Sequence, residues 1–187
     1  MLWIYTKERH RKKLGDVLGV DGIEFYSIFT AKDAVPANTP ANLEILPRLA
    51  ISYCYPRLIP KALLDIPYKG WVNFHPGPLP EFKGPGETTA AVEQAVMEWG
   101  VTCHIMDEGF DTGPVIQRLM FPLHEPPTDP AELSAVSHWM MFWLFQWMLP
   151  KLWKAERLTD LVGLPDISVH DRLLTMPVNQ GGQSCVG

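Results

Sequence analysis

The apolar positions of this chain follow two rhythms in alternation. MLWIYT, residues 1–6, is a continuous apolar run that reads as a first strand. In KERHRKKLGDVLGV the spacing of Leu14, Val17 and Leu18 predicts a helix that ends near Gly19 or Gly22. IEFYSIF, 23–29, reads as a second strand, and the proline-punctuated AKDAVPANTPANLEILP as a loop with a short helix. RLAISYCY, 48–55, is apolar and β-branched, as suits a buried parallel strand. PRLIPKALLDIP, 56–67, reads as a turn holding one helical turn. GWVNFH, 70–75, is a strand that runs straight into a proline loop. GETTAAVEQAVMEW, 86–99, predicts a helix with Ala91, Ala95 and Val96 near one face. GVTCHIMDE, 100–108, and VIQRLMFPL, 115–123, are two more strands, with the loop GFDTGP between them.

Asp129-Pro130-Ala131-Glu132 carries a helix start: an N-cap Asp, Pro at the first helical position and Glu placed for a capping box. This helix is predicted to run to about Leu149 and stop before Pro150. Its second half, WMMFWLFQWML (139–149), is apolar almost all round. That stretch is too short to span a bilayer and implies deep burial or a contact between two copies of the chain. The part after Leu161 has no clear rhythm, and NQGGQSCVG, 179–187, reads as a flexible tail. Strands alternating with helices predict an α/β fold with a largely parallel sheet, as one domain over residues 1–187.

Composition narrows the class. A net charge of −5 gives no reason to expect a nucleic-acid partner. The basic run Lys7 to Lys13 reads as a solvated helix face. Cys54, Cys103 and Cys185 are odd in number and widely spaced, which forms neither a disulfide framework nor a zinc pattern. The N-terminus has no long apolar run with a small-residue cleavage site, so a reducing cytoplasmic setting is expected, with no membrane partner.

In parallel α/β sheets function gathers in loops beyond the carboxyl ends of strands. Two loops fit, NFHPGPLP and DEGFDTGP. Proline and glycine dominate the first, so it is a shaped loop rather than an element. Asn73 and His75 are two apart at a strand end and project to the same side. Asp111 lies in the second loop. Convergence of the three would set an amide, an imidazole and a carboxylate together. A carboxylate orients an imidazole and favours its charged form, the imidazole moves a proton, and the amide donates to an oxyanion. No strong nucleophile such as an elbow Ser accompanies them, which suggests direct attack by an amine or by water. On residue types alone, His75 held by loop carbonyls and Asp111 capping its own turn are equally good readings.

NFHPGPLPEFKG followed by GVTCHIMDEGFDTGPVI resembles the signature of the folate-dependent formyltransferases: Asn-x-His-Pro-x-x-Leu-Pro, a Gly, a helix, Gly-Val-Thr-x-His, then Asp-x-Gly-Pro-Ile/Val. SYCYPRLIPKAL, 52–63, resembles the segment upstream of it. The resemblance covers about residues 48–123. It implies a Rossmann-like domain that moves a formyl group from 10-formyltetrahydrofolate to an amine, with no metal. It places Asn73, His75 and Asp111 on the family's catalytic trio. It further implies a pterin site from Arg57, Leu58 and Ile59 and from Met106, Asp107, Glu108, Gly109 and Phe110.

The chain departs from the pattern in places. Gly77 stands where a Ser is usual, and Pro78 replaces an apolar residue. The N-terminal part is short, and no glycine-rich loop follows the first strand, which argues against a glycinamide ribonucleotide acceptor. No long C-terminal part of the kind used on tRNA follows the motifs. The acceptor implied is a small-molecule amine, with a nucleotide-linked amino sugar preferred. Lys83 and Arg57 are candidates to meet an anionic substrate or the folate tail. Glu87, Thr88 and Thr89 read as helix capping more readily than as acceptor contacts. Other readings are a 10-formyltetrahydrofolate hydrolase, a metal hydrolase using His75, His104, Asp111 and His124, and a non-catalytic folate-binding or interaction module.

Overall fold

The structure is a computed structural model, described here for residues 1–20, 26–30 and 46–169. The predicted flexible tail at 179–187 lies outside the described residues, as does Cys185. The elements run β1 (Leu2–Thr6), a short 3-10 turn (Glu8–His10), α1 (Arg11–Val20), β2 (Tyr26–Thr30), β3 (Leu49–Tyr53), α2 (Lys61–Leu64) and β4 (Trp71–His75). Then come α3 (Glu87–Glu93), β5 (Glu98–Ile105), β6 (Val115–Pro122), α4 (Pro130–Lys154), a 3-10 turn (Leu158–Leu161) and β7 (Ile167–Ser168).

These strands form one sheet in the order β2-β1-β3-β4-β5-β6-β7. β2, β1, β3 and β4 are mutually parallel, β5 is antiparallel to both neighbours, and β7 pairs parallel with β6. The expected largely parallel α/β sheet is therefore present. The N-terminal part, read as short, holds a strand–helix–strand unit in β1, α1 and β2.

Strand alternation divides the sheet faces. Ile4, Ile51, Val72, Phe74, Val101 and Cys103 point to the main core, where Leu14 and Leu18 of α1 and Met141, Leu144, Phe145 and Met148 of α4 cover them. The opposite face carries a smaller cluster of Trp3, Tyr5, Ala50, Ile59, Leu63 and Trp71. Trp71, Asn73 and His75 alternate with Val72 and Phe74, so both site residues of β4 belong to this second, less covered face.

Three boundaries differ from expectation. The helix predicted over 86–99 stops at Glu93, because Ala95 takes φ 49° and reverses the chain. Glu98 and Trp99 then open β5, and the buried Trp99 indole donates to Ser137 Oγ of α4 at 2.8 Å. The strand predicted to Glu108 ends at Ile105. Finally α4 does not stop at Pro150 but continues to Lys154. The buried Leu149 and Leu152 keep the last turn packed on the core, and Lys69 Nζ donates to the terminal carbonyls of Leu152 (3.2 Å) and Trp153 (2.8 Å). Packing plus capping outweighs one missing amide donor. The helix reads as apolar all round because one face is core. On its outer side Trp139 is exposed and packs at a 43° tilt against Trp143, ring centroids 4.6 Å apart. No helix among the described residues is long and apolar enough to cross a membrane.

Candidate active site

The proline loop after β4 turns back on its own strand. Thr102 of β5 pins it: its hydroxyl donates to the Gly77 carbonyl (2.8 Å) and accepts the Leu79 N–H (3.0 Å). The Phe82 ring packs on Trp99 at 4.8 Å. Its carbonyl accepts from His75 Nε2 at 2.7 Å, so that nitrogen carries a proton and Nδ1 faces the site. A Cβ at position 77 would lie 3.1 Å from Phe82 O and 3.2 Å from His75 Nε2. Glycine in place of the usual Ser thus lets the loop close tightly on His75.

Asp111 arrives by another route. Because β5 is antiparallel, its carboxyl end lies beside the start of β4, with Ile105 opposite Val72. The second loop therefore leaves from the other end of the sheet than expected, and it folds back over the face. Asp111 sits at φ 53°, a left-handed conformation that Asp tolerates. Its Oδ1 accepts from Asn73 Nδ2 at 3.1 Å, Oδ2 lies 3.3 Å from His75 Nδ1, and Oδ2 accepts the Gly84 N–H at 3.0 Å. The amide, imidazole and carboxylate converge: the Phe82 carbonyl fixes His75, and Asp111 bonds across to Asn73, His75 and the Gly84 amide rather than capping its own turn.

His104, named in the sequence only as a candidate of the metal-hydrolase reading, completes the group. It pairs with Asn73 across β4 and β5 and is almost fully buried. Nδ1 donates to the Ile105 carbonyl at 2.8 Å, while Nε2 lies 3.2 Å from Asn73 Nδ2 and 3.4 Å from Asp111 Oδ1. Protonated at Nε2, the ring donates to Asp111; unprotonated there, it accepts from the Asn73 amide. The signal was available in the strand itself. Thr102 and His104 are polar and alternate with apolar Val101 and Cys103, so they share the face of Asn73 and His75.

Burial alone would push the Asp111 carboxyl up. The His104 hydrogen bond, the His75 charge and the Gly84 N–H outweigh it and hold Asp111 at about 2. A depressed folded value stabilises the fold above the ordinary carboxylate range, and that contribution is lost as pH falls from about 4 through about 2. The shift is worth about 2 kcal/mol. Urea unfolding of the wild type and Asp111→Asn is expected to show a stability gap at pH 5 that shrinks by that amount toward pH 2. An unchanged gap would contradict the depressed carboxyl.

A cavity of about 560 Å³ opens over these residues. One wall is built from Arg57, Leu58, Ile59, Met106, Gly109 and Phe110. Leu58 and Phe110 are large apolar side chains left 51% and 65% exposed at its mouth. Asp107 and Glu108 do not line it. Asp107 Oδ1 accepts from Gly109 N–H (3.0 Å) and the Thr112 hydroxyl (2.7 Å) within its own loop, and Glu108 pairs outward with Lys61 at 3.2 Å. Glu87 lines the cavity; Lys83 and Thr89 do not, and Thr88 is buried. His124 is exposed beyond β6, away from His75, His104 and Asp111. Burial pushes the Cys54 thiol up to about 12 against the pull of Lys7, Arg9 and Lys13, so it stays neutral and is no nucleophile.

Comparison with known proteins follows the same lines. A family model described as formyl transferase matches residues 12–135. The methionyl-tRNA formyltransferase of Aromatoleum aromaticum is 30% identical over 119 residues, 64% of this chain and 36% of that protein. That of Thermus thermophilus is 42% identical over 97 residues, 46% of this chain and 32% of that protein. The chain thus spans about a third of the length of these curated relatives. Among solved structures, the formyltransferase PseJ from Anoxybacillus kamchatkensis, in complex with UDP-4,6-dideoxy-4-formamido-L-AltNAc and tetrahydrofolate, shares the fold. Its TM-score is 0.66 at 21% identity, covering 92% of this chain and 88% of that one. Phosphoribosylglycinamide formyltransferase from Bacillus halodurans gives 0.65 at 20% identity, covering 87% and 99%. An N-formyltransferase from Helicobacter canadensis, complexed with folinic acid and dTDP-3-aminofucose, gives 0.64 at 17%, covering 91% and 71%. With its family model covering 124 residues from 12 to 135, and with the amide, imidazole and carboxylate of that family's signature meeting in one cavity, this chain belongs to the formyl transferase family.

Proposed function

We propose that the protein transfers a formyl group from 10-formyltetrahydrofolate to the amine of a small-molecule acceptor, of the nucleotide-linked amino-sugar class. The observation that carries this is the meeting of Asn73, His75 and Asp111 within 3.3 Å contacts at the floor of one cavity. The apolar wall suits a flat heterocycle: Leu58, Ile59, Met106 and Phe110 offer uncovered surface beside the backbone of two loops. When bound, 10-formyltetrahydrofolate supplies the formyl carbonyl that the acceptor amine attacks.

The residues then divide the work. Asn73 Nδ2 donates to the oxyanion left by the attack, and His75, protonated and paired with Asp111 through Nδ1, adds its positive charge beside it. The Phe82 carbonyl keeps Nε2 protonated and the ring aimed. Asp111 balances the charge on His75, and as an anion beside the reacting amine it receives the proton that the amine sheds, directly or through a water. The proton held by the chain is returned to the departing folate nitrogen as its bond to carbon breaks. His104 acts one step away. With a proton on Nε2 it turns to Asp111, and the second Asn73 N–H is freed for the oxyanion.

The test is absorbance-monitored conversion of 10-formyltetrahydrofolate to tetrahydrofolate. The acceptor panel comprises UDP- and dTDP-linked amino sugars, glycinamide ribonucleotide, methionyl-tRNA and simple amines. Conversion that requires an amino sugar is the expected result. Conversion without any amine would replace the transferase by a hydrolase, and folinic acid binding without turnover on any acceptor would leave a folate-binding module.

A further inference from the structure

The basic run at the N-terminus is not only a solvated face. Lys12 pairs with Asp16 at 3.0 Å in solvent, but Lys7 and Arg9 line the cavity, together with Cys54, Ser134 and His138. Lys7 follows the last residue of β1 and Cys54 the last of β3. Since β1, β3 and β4 lie side by side, this wall stands two strand spacings, about 10 Å, from Asn73 and His75. The pterin-type wall and this basic wall flank the trio.

Arg9 is held in place. Its Nε donates to His10 Nε2 at 3.1 Å, and its Nη2 lies 3.1 Å from His138 Nε2. His138 Nδ1 lies 2.6 Å from the Ser134 carbonyl, which can only accept, so Nδ1 carries the proton and Nε2 the lone pair. The two rings stack at 5.8 Å with an interplanar angle of 19°. Burial, then Lys13, Arg9, His138 and Lys7, lower His10 to about 4, and burial lowers His138, so both imidazoles stay neutral and accept. Two acceptors on different elements thus fix one guanidinium and use two of its five N–H donors, leaving three. Among the described residues neither Lys7 nor Arg9 forms an ion pair with a carboxylate. A cation fixed by neutral groups beside an open cavity is a preorganised anion receptor.

We propose that Lys7 and the histidine-clamped Arg9 form the subsite that holds a phosphate or diphosphate group of the acceptor, while its amine reaches Asn73 and His75. The assignment to the acceptor rests on the formyl-transfer reading; the anion site itself does not. His10, Cys54 and His138 also bring donor atoms within 4.8 Å of one another, a spacing open to a metal ion. Arg9 already occupies Nε2 of both rings, however, and Lys7 and Lys13 add two more cations. The local field therefore favours an anion. Among the described residues Glu87 is the one carboxylate on the cavity wall besides Asp111, and it does not cancel three cations.

The experiment is titration calorimetry of the full chain with inorganic pyrophosphate and with inorganic phosphate, without folate, and separately with folinic acid. Pyrophosphate is expected to bind the wild type and to bind Arg9→Gln about tenfold or more weakly, with weakening also in high salt. His138→Leu, which removes the acceptor, should weaken binding several-fold. His138→Gln, whose amide oxygen still accepts, should restore most of it. Equal melting temperatures separate this positioning role from a merely structural one. Folinic acid binding should be the same in the wild type and in Arg9→Gln. Absent pyrophosphate binding, or equal binding in wild type and Arg9→Gln, overturns the site. Stoichiometric zinc binding that is lost in Cys54→Ser and that competes with pyrophosphate would overturn it in favour of a metal. Pyrophosphate binding that depends on Arg9, with no folinic acid binding, would remove the formyl-transfer reading and leave the anion site standing.

Discussion

His75→Ala and Asp111→Ala are each expected to lower turnover by about two orders of magnitude or more, the scale of a lost general acid–base group. The two losses differ in kind. His75→Ala removes the proton held at Nδ1 and opens a gap beneath the Phe82 carbonyl, but it leaves the apolar wall intact. Folinic acid binding should survive, so the loss falls on kcat. Asp111→Ala removes the acceptor shared by Asn73, His75, His104 and the Gly84 amide. It should relax both catalytic loops and affect binding as well. A double variant should be scarcely slower than the worse single one, because the groups act as a unit. Turnover within tenfold of wild type in either single variant would remove that residue from the proposed chemistry.

Gly113→Ala is expected to cost about 3 kcal/mol and to abolish most activity. A Cβ there would lie 1.9 Å from the Ile105 carbonyl oxygen and 2.9 Å from its carbon. Backbone cannot move aside as a flexible side chain can. The turn is also pinned on its other flank, where Ile105 N–H donates to the Pro114 carbonyl at 2.9 Å. Relief must come from shifting the loop that carries Asp111, two residues away, and a displacement near 1 Å is enough to cost about a hundredfold in rate. Gly19→Ala is the contrast. It lies in α1 with nothing within 4 Å of an added methyl, and it should be neutral or slightly stabilising. Urea unfolding followed by circular dichroism compares the pair. Equal midpoints would refute the close approach at Gly113.

Much of this molecule was legible from residue order. Near-continuous apolar runs marked β1 and β3, as suits strands buried on both faces, and stretches of β-branched and aromatic residues broken by polar ones marked β2, β4, β5 and β6. Asn73 and His75 could be placed on one side of β4, since a period of two is a property of the strand itself. The motif order then drew in Asp111 and the loops at 57–59 and 106–110. Asp107 and Glu108 were included by adjacency alone, and only the fold shows that one caps its own turn while the other faces Lys61.

What the sequence determined by itself was local: the rhythm of the elements, the N-cap at Asp129, whose side chain accepts from Ala131 N–H at 2.8 Å, and the shaped character of the two loops. The tertiary structure decided which distant groups meet. The direction of β5 is not written in its own residues, yet that direction sends the second loop back over the sheet, lifts His104 from a mid-strand residue to a neighbour of Asn73 and Asp111, and lets Thr102 hold the proline loop. The length of α4 past Pro150 follows from packing and from a lysine about eighty residues away. The hold on the Arg9 guanidinium beside the cavity depends on His138, 129 residues on from Arg9. Each of these rests on contacts between residues far apart in the chain, whose free energy appears only when the sheet has brought them together, and no local pattern encodes it.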